Sequence, residues 1–102
     1  MARLTFQRVR VATGSEDGDG VLALVDGELV AVLTRLDAPY HGDQRGLWHQ
    51  ECGFGRCDAR PATFASLGEA ACWIAARLGL AEEELGGAVE IGRAVSCDRA
   101  AG

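Results

Sequence analysis

Short apolar runs separated by turn signals occupy the first half of the chain, and this pattern predicts β-strands. The clearest signal is Asp26-Gly27, which stands between two apolar runs at 21–25 and 28–36. Asp-Gly is a preferred two-residue hairpin turn because both turn residues need positive φ. We therefore expect a hairpin here, further strands at 3–12 and 46–54, and polar solvated connections at 13–20 and 37–45.

The first predicted strand allows two arrangements. Leu4 and Phe6 alternate onto one face of an extended strand, whereas Val9 and Val11 alternate onto the other. A bulge near residues 7 and 8 would bring all four side chains to one side. Without a bulge, this is an edge strand that is apolar on opposite faces at its two ends.

A change of period after residue 65 predicts the main helix. Ser66 and Glu69 have the spacing of a capping box, which satisfies free backbone N–H groups at the start of a helix. Gly79 fits the position just past the helix end, where a left-handed conformation is needed. The residues expected on the buried stripe recur at helical spacing: Leu67, Ala70, Ala71, Ile74, Ala75 and Leu78.

These segments together predict an α+β fold in the order β-β-β-β-α-β. We expect an antiparallel meander sheet of four to five strands with one main α-helix packed on one face. The last strand is predicted at 88–97, where apolar residues alternate with others, and residues 98–102 are predicted to be a disordered tail. The chain is thus expected to form a single domain over 1–97.

The register of the hairpin determines which residues share a face. A two-residue turn predicts that Val25 pairs with Glu28 and Val21 pairs with Val32. One face then carries Leu22, Leu24, Leu29, Ala31 and Leu33, and the other carries Val21, Ala23, Val25, Val30 and Val32. Both faces are apolar, although an antiparallel sheet with one face in water alternates apolar with polar residues. One helix covers one face, so the C-terminal part of the chain or another subunit is expected to cover the second.

Trp73 lies off the buried stripe of the helix, about 130° from its centre at the ~100° per residue of an α-helix. Two interpretations remain open. Trp73 is an interface anchor, because tryptophan is enriched at binding hot spots. Alternatively, Leu85 and the last strand fold back and cover it, because tryptophan also serves at the border of a core.

Composition narrows the class of protein. The chain has 102 residues, of which 48% are hydrophobic and 25% charged, as in ordinary globular domains. The net charge of −5 offers no electrostatic footprint for a phosphate backbone. No apolar run approaches the ~18 residues of a membrane span, and the first residues are typical of a strand, so a cytoplasmic location is expected. All ten basic residues are arginine, which indicates GC-rich coding and a bacterial source.

The cysteines and histidines offer a weak metal-like spacing. His41, His49, Cys52 and Cys57 follow the pattern H-x7-H-x2-C-x4-C, whereas structural zinc sites bring paired ligands from tight turns. His49 and Cys52 are three apart in a predicted strand, so they are expected on opposite faces. We therefore expect no metal and no cofactor, with both histidines in solvent and Cys52 in the core.

Thiol chemistry is the remaining enzymatic possibility. The sequence contains no Walker loop, G-x-S-x-G, H-E-x-x-H or dinucleotide fingerprint. Without a secretion signal the four cysteines, Cys52, Cys57, Cys72 and Cys97, are expected to be reduced thiols. Cys57, between Arg56 and Asp58, is predicted to be an exposed loop thiol. An alternative function is therefore a thiol- or metal-dependent small enzyme that uses Cys52 or Cys57.

A second alternative comes from a resemblance. The order of three strands followed by a helix resembles that of AP2-type and related integrase DNA-binding domains. The resemblance covers about half of the chain and includes part of that family's G-x-W…F-x-T-x-x-E-A-A pattern. The residues that carry it are Trp48, Phe64, Glu69, Ala70 and Ala71. The resemblance implies DNA recognition by basic and aromatic residues on the open sheet face, where this hairpin carries valines and leucines. The arginines that could line the sheet edge are Arg3, Arg8, Arg10 and Arg35.

The two-sided apolar hairpin favours a different function. Exposed apolar surface marks association sites, so we expect a small non-enzymatic protein that acts through protein–protein contacts. The partner is expected to be a second copy of the chain, which gives a homodimer, or another protein. The predicted interface residues are Trp73, Val21, Ala23, Val25, Val30 and Val32.

Overall fold

The computed structural model describes residues 3–81, which form an antiparallel sheet followed by one α-helix. The strands are β1 (Leu4–Arg10), β2 (Asp19–Val25), β3 (Glu28–Arg35) and β4 (Trp48–Gly53), in the spatial order β1-β2-β3-β4, and the helix is α1 (Leu67–Leu78). Short 3₁₀ turns occupy Pro39–Gln44 and Gly55–Cys57. The predicted α+β class and meander order are confirmed. The predicted strand at 88–97 and the tail at 98–102 lie outside the described residues.

The hairpin turn forms at the predicted position. Asp26 has φ 55° and Gly27 has φ 86°, the two positive values that a two-residue turn of this kind requires. The Asp26 carboxylate also accepts a hydrogen bond from the Arg3 backbone N–H at 3.0 Å, which ties the start of β1 to the hairpin tip. β1 pairs with β2 without a register shift, from Leu4 opposite Val25 onwards. β1 is therefore the edge strand without a bulge.

A β-bulge changes the register between β2 and β3. Leu24 pairs with Leu29 as predicted, but Ala23 then pairs with Ala31, and Val30 is the extra residue. Beyond Leu29 the predicted register is therefore wrong by one position. Because side chains alternate between faces, this shift places Ala31 and Leu33 on the same face as Val21 and Ala23.

The core lies between this face and the helix. Val21, Ala23, Ala31 and Leu33 are fully buried, and Leu4 and Phe6 extend the same face onto β1. The helix contributes Ala70, Ala71, Ile74 and Ala75, and the three small alanines let its axis approach the sheet closely. Leu67, Leu78 and Leu80 pack against the margin of this core. The predicted helical stripe is confirmed.

Both ends of the helix have the predicted caps. The Ser66 hydroxyl accepts a hydrogen bond from the Glu69 backbone N–H at 3.1 Å. The Glu69 carboxylate accepts one from the N–H of Ala65 at 3.0 Å, one residue before the expected partner. Gly79 ends the helix with φ 71°, and Leu80 donates its N–H to the Ala75 carbonyl at 2.9 Å. No helix among residues 3–81 is long and apolar enough to cross a membrane.

Candidate interaction surface on the open face of the sheet

The sheet face opposite the helix carries an apolar patch at its centre. Leu22 pairs with Val32 and Leu24 pairs with Leu29, so these four residues form a contiguous block on β2 and β3. We call this block the apolar patch and the face that carries it the open face. All four side chains are partly or largely exposed, with Leu29 at 37%. Phe54, 46% exposed, follows Gly53 in extended conformation and alternates onto the same face.

The composition of this patch differs from the predicted interface. The bulge at Val30 places Val21 and Ala23 in the core with no exposed surface, so they offer nothing to a partner in the folded chain. Val25 and Val30 pack partly buried against that core. Of the five predicted sheet residues, Val32 alone lies on the open face, beside leucines that were assigned to the opposite face.

One end of the open face is covered by the chain itself. A Cβ atom added at Gly20 would meet a methyl group of Val11 at 2.5 Å and one of Val9 at 3.5 Å. These valines therefore lie across Gly20, and Thr34, its partner on β3, is fully buried. The apolar patch occupies the other end, towards the hairpin tip, where Leu29 is exposed and Leu22, Leu24 and Val32 are partly exposed.

A second bulge determines the polar margin of the open face. Thr34 pairs with His49 and Val32 pairs with Cys52, and the register shifts between these pairs. Val32 and Thr34 are two positions apart on one strand, so His49 and Cys52 share the open face. The prediction that they point to opposite faces is wrong because it assumed a regular strand. Glu51 joins them and accepts a hydrogen bond from the Thr34 hydroxyl at 2.7 Å.

Two cysteines have environments opposite to those predicted. Cys52 is an exposed free thiol on β4, and Cys57 is a fully buried free thiol at the end of a 3₁₀ turn. Burial raises the pKa of the Cys57 thiol, and the nearby Arg77 guanidinium lowers it by less. A buried thiol with a raised pKa carries little thiolate, so Cys57 is a poor nucleophile.

The predicted metal spacing does not become a metal site. His41 lies on the connection between β3 and β4, away from the strand that carries His49 and Cys52. Among residues 3–81 there is no group of three or more His, Cys, Asp or Glu side chains arranged to hold a metal ion. Cys72 is disulfide-bonded, which contradicts the expectation that all four cysteines are reduced.

The loop before β2 contains a buried carboxylate that the sequence pattern did not reveal. Asp17 is 7% exposed, and its Oδ1 accepts hydrogen bonds from the backbone N–H groups of Asp37 at 2.7 Å and Ala38 at 2.8 Å. Its Oδ2 lies 2.6 Å from Nε2 of His41. The predicted solvated loop and solvated His41 are therefore wrong at these residues. The acid-rich stretch around Asp17 gave no sign of which carboxylate would turn inwards.

Burial and hydrogen bonding act in opposite directions on this carboxylate. Desolvation raises the pKa of Asp17, but the hydrogen bonds from His41, Ala38 and Asp37 together lower it below its ordinary value. The carboxylate thus joins loop 13–18 to the turn at Pro39–Gln44. No side chain that could act as a nucleophile is hydrogen-bonded to His41 among the described residues, so the pair is interpreted as a structural link.

Trp73 packs within its own chain. Its ring lies 5.8 Å from the ring of Phe64, and the Arg77 guanidinium lies 5.7 Å from its centroid. It is partly buried against the edge of the core. Leu85, which was expected to cover it, lies outside the described residues. The role of Trp73 as an interface anchor remains a prediction.

Comparisons with protein-family models, with curated proteins and with solved structures found no match for this chain. Any functional inference therefore depends on the surface chemistry described above.

Proposed function

We propose that this protein is a small non-enzymatic interaction module that forms a homodimer through the open face of its sheet. The observation that supports it is the apolar patch of Leu22, Leu24, Leu29 and Val32, in which Leu29 is exposed and the other three side chains are partly exposed. Contiguous exposed apolar surface is unfavourable in water and marks sites of association.

The arrangement of the open face suits a second copy of the chain. Its apolar centre is bordered by polar residues, with Thr5 and Gln7 on β1 and His49 and Glu51 on β4. An apolar core inside a polar rim is the usual anatomy of a protein interface. In a twofold dimer the same patch faces itself, so the two apolar centres are buried together and no oppositely charged partner is needed.

The alternative of nucleic-acid binding is less well supported. Arg8 pairs with Val21 and Arg10 pairs with Asp19, so both alternate onto the helix side of the sheet. Arg35 pairs with Trp48 on that same side. Within β1 to β4 no strand position on the open face carries an arginine, although a phosphate backbone requires positive charge.

The thiol alternative now depends on Cys52. The bulge in β4 places Cys52 on the same face as His49, which is the one observation in its favour. Metal-dependent chemistry would need further ligands than these two residues provide.

The proposed location and source are the cytoplasm of a bacterium. All ten basic residues are arginine, which indicates GC-rich coding and supports a bacterial source. The disulfide bond at Cys72 argues against the location, because disulfides are rare in most cytosolic proteins.

Light scattering on the full chain tests the proposed association. We expect a dimer mass at micromolar concentration and a monomer mass for Leu22→Glu, because a carboxylate would be buried in the apolar centre. The control is Tyr40→Glu, which changes a 75% exposed side chain on the connection between β3 and β4, outside the apolar patch, and should remain dimeric. A monomer mass for the unmodified chain, or a dimer mass for Leu22→Glu, would contradict the proposal.

A second variant separates the two candidate interface regions. Trp73→Arg changes the helix side of the molecule, where the ring packs on Phe64. If association uses the open face, this variant should still dimerise. Loss of the dimer in Trp73→Arg, with unchanged thermal stability, would instead assign the interface to the helix.

A further inference from the structure

A polar groove runs along the outer edge of β4. It has a volume of about 400 Å³ and is lined by residues 49–53 of the strand and by Asp58, Ala59, Arg60 and Pro61 of the following loop. We call it the β4 groove. Its volume lies within the range of about 300–1,000 Å³ that is typical of ligand pockets.

The groove exists because β4 loses its outer neighbour partway along its length. Trp48 exchanges two backbone hydrogen bonds with Phe64, each 2.8 Å long, and this bridge is isolated. Backbone groups two residues apart on a strand point the same way, so the N–H and C=O of Gln50 face the same outer edge. The loop that follows the 3₁₀ turn does not bond to them.

The side chain of Gln50 holds the loop away from the strand. Its Nε2 donates hydrogen bonds to the carbonyl oxygens of Cys57 at 2.9 Å and Ala59 at 3.1 Å. This orientation of the amide is required, because an oxygen in place of Nε2 would face two carbonyl oxygens. Gly53 permits the close approach, since an added Cβ would overlap the carbonyl of Cys57.

Gln50 has a hydrogen-bond acceptor without a donor. Its Oε1 is buried and has no hydrogen-bond partner within residues 3–81. A buried acceptor without a donor is unfavourable, so such atoms usually bind water or a ligand. Gln50 lines the groove, and within residues 3–81 no loop residue bonds to the backbone N–H and C=O that this alternation directs to the outer edge.

We propose that the β4 groove binds a short extended segment of a partner polypeptide, which adds to β4 as a partial fifth strand. A peptide backbone offers the alternating N–H and C=O groups that match Gln50, as in other cases of strand addition. Glu51 and Asp58 in the lining outnumber the single Arg60, so a basic segment is favoured. The groove contains none of the four residues of the apolar patch, although His49, Glu51 and Cys52 line the groove and also border the open face. The proposal is therefore tested on a chain that does not dimerise as well as on the unmodified chain.

A titration of the ¹⁵N-labelled full chain tests the proposal by amide chemical shifts. The probe is a capped peptide, Thr-Arg-Val-Arg-Thr, whose β-branched residues favour an extended backbone. We expect shifts confined to 49–53 and 58–61, and the same shifts in the Leu22→Glu variant. The matched probe carries N-methyl groups on the three central amides and should bind at least tenfold more weakly.

Two protein variants make the result specific. Asp58→Asn changes an exposed loop residue and should weaken binding of the basic probe about threefold. It should leave unchanged the binding of an uncharged probe that has serine in place of each arginine. Gln50→Met should abolish binding while circular dichroism verifies the fold. Three results would each overturn the proposal. The N-methylated probe could bind as tightly as the unmodified probe, or the shifts could centre on the apolar patch. The Gln50 backbone amide could also be protected from hydrogen exchange already in the free chain.

Discussion

The carboxylate of Asp17 and the imidazole of His41 are 2.6 Å apart and join two loops that are 24 residues apart in the chain. The same carboxylate accepts the backbone N–H groups of Asp37 and Ala38, so one buried side chain organises the connection between β3 and β4. This connection lies at the covered end of the open face.

Acid should weaken the fold through Asp17. The pKa of Asp17 is lowered from 3.8 in the folded state. Its contribution is therefore fully present above about pH 4 and is lost as the pH falls through the lowered pKa. Urea unfolding from pH 6 to pH 2 should show a smaller acid-dependent loss for Asp17→Asn than for the unmodified chain. Glu16→Gln, which changes the exposed neighbour, should retain the full loss; equal slopes for both variants would contradict this role.

The two free thiols should differ in reactivity. We expect Cys52 to react readily with a thiol reagent at pH 8 in the native state, and Cys57 to react at least tenfold more slowly, because burial excludes the reagent and raises the pKa of that thiol. Peptide mapping by mass spectrometry assigns the modified sites. Denaturant should remove the difference, and rapid native labelling of Cys57 would show that the turn at Gly55–Cys57 opens easily.

Cys52 also reports on association. It pairs with Val32 at the margin of the apolar patch, so a dimer formed through the open face should slow its labelling as protein concentration rises. The Leu22→Glu variant should show no such dependence. A labelling rate that is independent of concentration in an established dimer would place the interface elsewhere.

Replacement of Gly53 should be severely destabilising. An added Cβ would overlap the backbone carbonyl of Cys57, which cannot move without displacing the turn. We expect Gly53→Ala to lower the free energy of unfolding by about 3 kcal/mol or more. The control is Gly68→Ala in the first turn of the helix, where the atom nearest to an added Cβ is the Ser66 hydroxyl oxygen at 3.5 Å. That variant should gain up to about 1 kcal/mol, because alanine favours the helix. Urea unfolding measures both, and a near-neutral Gly53→Ala would contradict the packing described.

Leucines on the two faces of the sheet should respond differently to truncation. Leu33→Ala should cost about 3 kcal/mol, because it leaves a cavity in the core. Leu22→Ala should cost less than about 1 kcal/mol in the monomer, because the side chain is already partly in water. Urea unfolding at a concentration below the dissociation constant measures both. Comparable losses would mean that Leu22 is covered in the monomer.

Several local features could be predicted because their causes are local. The turn at Asp26-Gly27 depends on positive φ at adjacent residues, and the helix depends on Ser66 and Gly79 at its ends. The helical stripe follows from spacing alone. The β-bulges could not be predicted this way, because an extra residue in a strand is stabilised by what its neighbours pack against, and that information is not in the spacing.

These bulges are what changed the interpretation of the surface. A shift of one position at Val30 exchanged leucines for valines on the open face, and the shift near Glu51 brought His49 and Cys52 together. The burial of Asp17 similarly depends on backbone N–H groups at Asp37 and Ala38 that only the folded chain brings near it.

The sequence by itself determined the α+β class, the hairpin, the capped helix and the fact that both faces of the hairpin are apolar. Each of these depends on local conformational preference or on residue type. The tertiary structure alone decided which apolar residues form the core, which lie on the open face, and where β4 has no neighbouring strand within residues 3–81. Those outcomes depend on register and long-range packing, in which a single inserted residue reverses the face of every side chain that follows.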